Sequence, residues 1–212
     1  MPRRNKSRPD WTFINTARQN GFTRICGVDE AGRGPLAGPV VCAAVTFATA
    51  SQSVQDLNGL NDSKRLSQVQ RERVLNMIRK QSDIFVTVVE PAEIDQRNIL
   101  WATMAGMARA IAGLRADFAH IDGNRLPPDM PCEAEAIVKG DGRCVQIAAA
   151  SIVAKVTRDR LMIEADRRFP DYGFAQHKGY PTRAHLEALE RFGPSPIHRR
   201  SFGPVREAYR LF

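Results

Sequence analysis

The chain lacks the usual marks of a zinc, thiol or serine enzyme. Its four cysteines, Cys26, Cys42, Cys132 and Cys144, contain no Cys-x-x-Cys pair, so a thiolate zinc site is not expected. Its four histidines, His120, His177, His185 and His198, show no metal-ligand spacing, which removes the common zinc-hydrolase pattern. There is no Gly-x-Ser-x-Gly elbow for a serine nucleophile and no Gly-Lys-Ser/Thr for a P-loop. No apolar run approaches ~20 residues, so no membrane-spanning helix is expected. Nor is there a secretory signal, and Cys26 and Cys42 lie in apolar runs as buried thiols, so a reducing cytoplasm is the expected compartment. Repeats and low-complexity tracts are also missing.

What is present is enough chain for one core. The sequence has 212 residues, 43% of them hydrophobic, which suits a single domain with a small annex. Lys and Arg number 31 against 23 Asp and Glu, a net charge of +8. That balance suits a polyanionic partner such as nucleic acid, although it also serves solubility.

One stretch organises the rest: Gly27-Val28-Asp29-Glu30-Ala31-Gly32-Arg33-Gly34-Pro35-Leu36-Ala37-Gly38-Pro39. Two adjacent acids end an apolar run, a glycine-rich turn holding Arg33 follows, and then comes an apolar β-branched run. The pattern reads as strand, tight turn, strand. Gly32-x-Gly34-x-x-Ala37 has the form of a dinucleotide fingerprint, but that motif needs a helix directly after the glycines to hold the pyrophosphate. Here Pro39-Val40-Val41 argues for a strand, and Asp29 and Glu30 would repel the ligand. A hard-metal site fits better, because magnesium and manganese prefer oxygen donors. Neighbouring strand residues point to opposite faces, so Asp29 and Glu30 share a site only if the strand ends or bulges there.

Along the chain, residues 1–20 read as a basic disordered arm, 21–168 as the catalytic domain, and 169–212 as a helical and loop annex completing the substrate site. Strands are expected over Arg24–Val28, Pro39–Ala48, Asp83–Glu90, Asp117–Asp122 and Glu133–Lys139. Helices are expected from a Ser67 N-cap to Arg79, over Asn98–Leu114, over Gln146–Arg168 and over Thr182–Arg191. Pro91 reads as the start of a short acidic turn, with Glu93 and Asp95 as solvated charges. The order describes an α/β fold with a mixed β-sheet flanked by helices and a small helical C-terminal annex.

Three strand-like runs end in an acid beside glycine or alanine: Asp29-Glu30-Ala31, Asp122-Gly123 and Gly140-Asp141-Gly142. In open α/β sheets, ligands bind outside the carboxyl ends of strands. Carboxylates gathered there repel one another by about 4 kcal/mol per pair at ~4 Å and an effective dielectric of ~20, and divalent metal is the natural compensation. Two such ions activate water and stabilise a leaving oxyanion in phosphodiester cleavage. For Asp141 the alternative is turn chemistry, since Asp-Gly is a common turn pair. Lys64, Arg199 and Arg200 read as phosphate anchors, with ordinary surface charge as the alternative. Tyr180 taken alone reads as a packed ring with a wet hydroxyl.

Asp29-Glu30-Ala31-Gly32-Arg33-Gly34-Pro35 closely resembles the signature of bacterial ribonuclease HII. The resemblance continues through Asn61-Asp62-Ser63-Lys64, Ile121-Asp122-Gly123-Asn124, Lys139-Gly140-Asp141, Ala149-Ala150-Ser151 to Asp159, Tyr172 to Pro181, and His198-Arg199-Arg200-Ser201-Phe202-Gly203-Pro204. It implies a ribonuclease H-like fold and endonucleolytic cleavage of RNA in RNA/DNA hybrids and at ribonucleotides embedded in duplex DNA, leaving 3′-hydroxyl and 5′-phosphate ends. It also implies Asp29, Glu30, Asp122 and Asp141 as ligands of manganese or magnesium. The Gly32-Arg33-Gly34 turn would hold the scissile phosphate and sense the ribose 2′-hydroxyl, and Tyr180 would contact the sugar at the RNA–DNA junction. Asn61, Ser63, Lys64, Arg199 and Arg200 would complete the substrate contacts. A monomer is expected, and a clamp-type partner is left open. The competing reading, a non-catalytic nucleic-acid binding module of the same fold, explains the charge but not the strand-end acids.

Overall fold

The apolar run after the glycine turn has almost no polar side chain to offer solvent, and the fold buries all of it. The structure, a computed structural model, describes residues 9–47 and 66–211. In it that run is strand β2 (Val40–Phe47), buried along its whole length. β1 (Ile25–Ala31) and β3 (Ser82–Val89) flank β2 antiparallel. β4 (Phe118–Asp122) joins β1 in parallel, and β5 (Glu133–Ile137) joins β4 in parallel. The result is a mixed five-stranded sheet in the order β3-β2-β1-β4-β5.

Alternate residues of β2 feed two cores, as the strand's two-residue period requires. Val41, Ala43, Val45 and Phe47 pack with Val74, Leu75 and Ile78 of α2 (Gln68–Gln81) and with Ile152, Val153 and Val156 of α4 (Val145–Arg168). Val40, Cys42 and Ala44 pack with Met107, Ala110 and Ile111 of α3 (Pro91–Leu114) on the other face. Helix α2 starts where expected. The Ser67 hydroxyl accepts from the Gln70 amide at 3.3 Å and the Gln70 side chain accepts from the Ser67 amide at 2.8 Å, a reciprocal cap.

Helix α4 lies unusually close to β1. Its Ala148, Ala149 and Ala150 are fully buried, and a Cβ on Gly27 would stand 2.2 Å from the Gln146 carbonyl carbon. Gly27→Ala is therefore expected to destabilise the fold by about 3 kcal/mol, at the upper end of overpacking costs. A urea titration checks this; an unchanged midpoint would show that α4 yields freely. The close seating matters because α4 carries polar groups into the site.

Four expectations are corrected. The described part of the supposed disordered arm, residues 9–20, is structured. Helix α1 (Thr12–Gln19) buries Ile14 and Ala17 against Ile25, Ile137 and Ile147, and the Asp10 backbone exchanges hydrogen bonds with Arg143 (3.0 Å) and Val145 (3.2 Å). Helix α3 begins at Pro91 rather than Asn98. Asn98 interrupts it at φ 64° and caps its second half, its side chain accepting from Leu100 (3.0 Å) and Trp101 (3.2 Å) amides. Glu93 and Asp95 are engaged rather than solvated: Glu93 grips Arg109 at 2.8 and 2.9 Å, and Asp95 accepts from the Arg200 and Ser201 amides, each at 2.9 Å. Strand β5 also stops at Ile137, two residues short of the expected Lys139.

The annex holds α5 (Phe174–His177), α6 (Arg183–Phe192) and α7 (Gly203–Ala208). It packs Tyr172 and Phe174 against Ala37, and Leu189 and Val205 against Leu36, so it closes over the glycine-rich turn after β1. Among the described residues no helix is long and apolar enough to cross a membrane.

Candidate active site

Parallel pairing of β1 with β4 sets the site. The register Val28↔Ile121 carries the next residues, Asp29 and Asp122, side by side at the carboxyl ends of adjacent strands. Val28 and Ile121 face α3, so Asp29 and Asp122 face α4. Strand β1 continues without a bulge, Glu30 pairing with Cys42 and Ala31 with Val41. The expected break between the two acids is therefore not there. Instead β4 stops at Asp122, leaving Glu30 beyond its edge and within the electrostatic reach of Asp122.

The electrostatics register this crowding. Asp29 is 6% exposed. Burial, then the charges of Glu30 and Asp122, push its carboxyl well above the ordinary value, against the pull of the Ser151 hydroxyl and the Glu30 amide. Burial raises Glu30 as well; Arg33, 3.3 Å away, opposes the rise and Asp122 adds to it. Asp122 accepts from the Gly140 amide at 2.6 Å. That amide is aimed by Lys139, which turns the chain at φ 56°, and a side chain on Gly140 would press on Ile147, since a Cβ would stand 2.5 Å from its Cδ1. Asp141 follows at once in a short 3-10 turn (Gly140–Gly142) leading into α4.

An oxygen-only donor set whose members raise one another's pKa suits a hard divalent cation. Among the described residues no three acidic, His or Cys side chains are placed to hold a metal ion as they stand. Asp122 is turned to Gly140 and Glu30 to Arg33, so ion binding would redirect both.

Beside the acids is a cleft of about 320 Å³, bounded by Glu30 and Gly32, by Lys155 and Arg158 of α4, by Arg71 of α2 and by Tyr180. A carboxylate and several cations share this lining, a combination that suits a metal next to a phosphodiester. Tyr180 is 43% exposed, and its ring lies 3.5 Å from where a Gly34 Cβ would stand. Gly32 sits at φ +101°, with a Cβ position 1.9 Å from Arg158 Nε, so only glycine serves there.

Arg199 is corrected. It is fully buried and cannot be a surface phosphate anchor. Its guanidinium donates to the carbonyls of Gly32 (2.6 Å), Arg33 (2.9 Å), Pro35 (2.7 Å) and Gly38 (2.9 Å), holding the turn from beneath. Arg158 does the same for Ala37 (3.2 Å) and Pro39 (2.9 Å). Burial, together with the Arg158 charge, lowers Arg199 to about 9, and burial lowers Arg158 to about 10. Arg200 is not brought to the cleft: its guanidinium lies over the Tyr209 ring, 5.0 Å from the centroid. Asn61, Ser63 and Lys64 lie outside the described residues. Sequence reasoning gave no role to Ser151, Lys155 and Arg158. Their spacing of four and then three residues is a polar stripe along one face of an amphipathic helix, and that signal was legible.

The strand that follows the glycine turn also removes the dinucleotide reading, which needs a helix there. A family model described as ribonuclease HII matches residues 26–205. A ribonuclease HII from Maricaulis maris (strain MCS10) is 54% identical over 197 residues, 92% of this chain and 88% of that relative. The RNase HII in a PCNA:RNase HII complex from Archaeoglobus fulgidus matches with a TM-score of 0.74 at 29% identity, covering 85% of this chain and 95% of that one. Ribonuclease H2 from Pyrococcus horikoshii OT3 also gives 0.74, at 28% identity over 89% of this chain and 98% of that one. The ribonuclease H-like fold expected from the resemblance is the fold observed.

Proposed function

Since the chain belongs to the ribonuclease HII family and is a ribonuclease H-type endonuclease, we propose that it cuts the RNA strand of RNA/DNA hybrids and incises duplex DNA at embedded ribonucleotides. The products carry 3′-hydroxyl and 5′-phosphate ends. The observation that supports this reading is the mutual electrostatic influence of Asp29, Glu30 and Asp122 beside a cleft that Glu30 lines together with Arg71, Lys155 and Arg158. Asp29, Glu30, Asp122 and Asp141 are the residues that would hold manganese or magnesium. When bound, the ions supply Lewis acidity, easing deprotonation of water and stabilising the departing oxygen.

The protein's own residues do the rest. The Gly32-Arg33-Gly34 turn brings backbone against the scissile phosphate, where no Cβ would fit at Gly32. Lys155 and Arg71 flank the cleft with positive charge; Lys155 is steadied by Asp159 at 2.7 Å. Asn61, Ser63 and Lys64 add contacts to the strand on the same reading. Only the 2′-hydroxyl separates RNA from DNA at one position, and Tyr180 beside Gly34 reads the sugar without reading the base. The enzyme works as a cytoplasmic monomer, a compartment supported by four free cysteines, three of them buried. A clamp-type partner enters only through likeness to the Archaeoglobus fulgidus protein.

The test compares three substrates: an RNA/DNA hybrid, a duplex with one ribonucleotide, and the same duplex in all-DNA form. Incision of the first two with magnesium or manganese is expected, with no cutting after EDTA and none of the all-DNA duplex. Cleavage that survives EDTA would reject the metal site; equal cutting of the all-DNA duplex would reject sugar reading.

A further inference from the structure

Two histidines of the annex, His185 and His198, stand buried next to Tyr180 with the half-buried His177 stacked on His185, and the proposed chemistry uses none of them. His185 and His198 are 0% and 2% exposed. His185 Nδ1 lies 2.9 Å from the Tyr180 carbonyl oxygen, its Nε2 lies 3.0 Å from His198 Nε2, and His198 Nδ1 lies 2.9 Å from the Ser195 amide and 2.8 Å from its hydroxyl. The ring of His177 stacks on His185 at 4.4 Å, accepts from the Gly179 amide at 3.2 Å and reaches the Tyr172 carbonyl at 2.8 Å.

Proton counting fixes the tautomers. A carbonyl only accepts, so His185 donates from Nδ1 to Tyr180. Neutral His185 then accepts at Nε2, so His198 donates from its Nε2. His198 Nδ1 is left to accept from the Ser195 amide. Every ring nitrogen is used with both rings neutral, and a further proton on either ring would set donor against donor. Burial and the neighbouring ring act in the same sense, holding His198 down to about 3 and His185 below its ordinary value.

The next residue along is Arg199, the grip on Gly32, Arg33, Pro35 and Gly38. One dipeptide thus ties down both walls of the cleft: His198, through His185, holds the Tyr180 backbone, and Arg199 holds the glycine turn. A direct bond joins the walls as well, from the Leu36 amide to the Gly179 carbonyl at 2.8 Å.

We propose that the His185–His198 relay is a positioning device that fixes Tyr180 against the Gly32–Gly34 turn and so sets discrimination of ribose from deoxyribose. The proposal rests on the reading of Tyr180 as the sugar contact. Its test is a double-mutant cycle on the one-ribonucleotide duplex with His185→Phe, which keeps a ring in the stack and removes the donor to Tyr180. In the parent background kcat/KM is expected to fall about 10- to 30-fold, the size of one lost buried hydrogen bond to the reading group. In a Tyr180→Ala background the same change should cost less than about 3-fold, because the group being positioned is gone. His185→Asn, whose amide can donate to the Tyr180 carbonyl, should recover most of the loss.

An equal loss in both backgrounds would overturn the relay while leaving the sugar contact standing. A Tyr180→Ala enzyme as active as the parent would overturn the sugar contact itself, and the relay with it. If His185→Phe does not fold, His198→Phe cuts the same strut one link further away and is judged by the same cycle. Nitrogen-15 spectra of the parent, free of substrate, should show His185 protonated on Nδ1 and His198 on Nε2 at neutral pH; the opposite tautomers would overturn the relay independently of any activity.

Discussion

Asp122→Asn is expected to fold normally and to cleave a ribonucleotide-containing duplex about 10³-fold more slowly than the parent. Metal Lewis acidity is worth several kcal/mol at the transition state, and each ~1.4 kcal/mol is a factor of ten. The amide keeps an oxygen for the Gly140 amide, now 2.6 Å from the carboxylate, so the local turn has no reason to move. It also removes one of the charges that burial and crowding set against Asp29. The variant should therefore melt at or above the parent temperature, which separates lost chemistry from lost fold. Parental rates for Asp122→Asn would reject its place among the ligands.

Arg199→Met carries the largest expected effect on stability, a loss of about 4 kcal/mol. Replacing a buried charge by an apolar side chain is often harmless when its partner is removed too. Here the partners are main-chain carbonyls of Gly32, Arg33, Pro35 and Gly38, and they stay behind without donors. Hydrogen bonds to a charged group contribute about 1.5–3 kcal/mol each, and a buried acceptor left bare costs about 1–3 kcal/mol. Part of that is offset because the variant no longer buries a charge, which in the parent burial already holds down to about 9. Arg199→Lys should rescue little, since one ammonium cannot reproduce the guanidinium fork. Urea unfolding decides the matter, and an Arg199→Met midpoint within experimental error of the parent would contradict the clamp.

The sheet was legible because its signals are local. β2 is a β-branched run between a glycine turn and a polar stretch of sequence, and α2 announces itself through the Ser67 N-cap. The acids were legible as strand-end residues beside glycines, and the family signature joined them into one site. What was lost depends on distant contacts. Ile14 and Ala17 look unremarkable in a basic segment until Ile25, Ile137 and Ile147 appear beneath them. Arg199 looks like any exposed cation, because the carbonyls that draw it inward lie more than 160 positions away in the sequence. Asp29 and Glu30 also met a rule that fails at edges. Alternation sends their side chains to opposite faces, but a neighbouring strand that ends one residue earlier lets both reach Asp122.

The most direct test of the whole account is anomalous diffraction from crystals grown with manganese and a one-ribonucleotide duplex. Peaks are expected at roughly 2 Å from carboxylate oxygens of Asp29, Glu30, Asp122 and Asp141, with the ribose lying between Tyr180 and the Gly32–Gly34 turn. Manganese seated elsewhere, or no anomalous signal at those carboxylates under saturating metal, would contradict it.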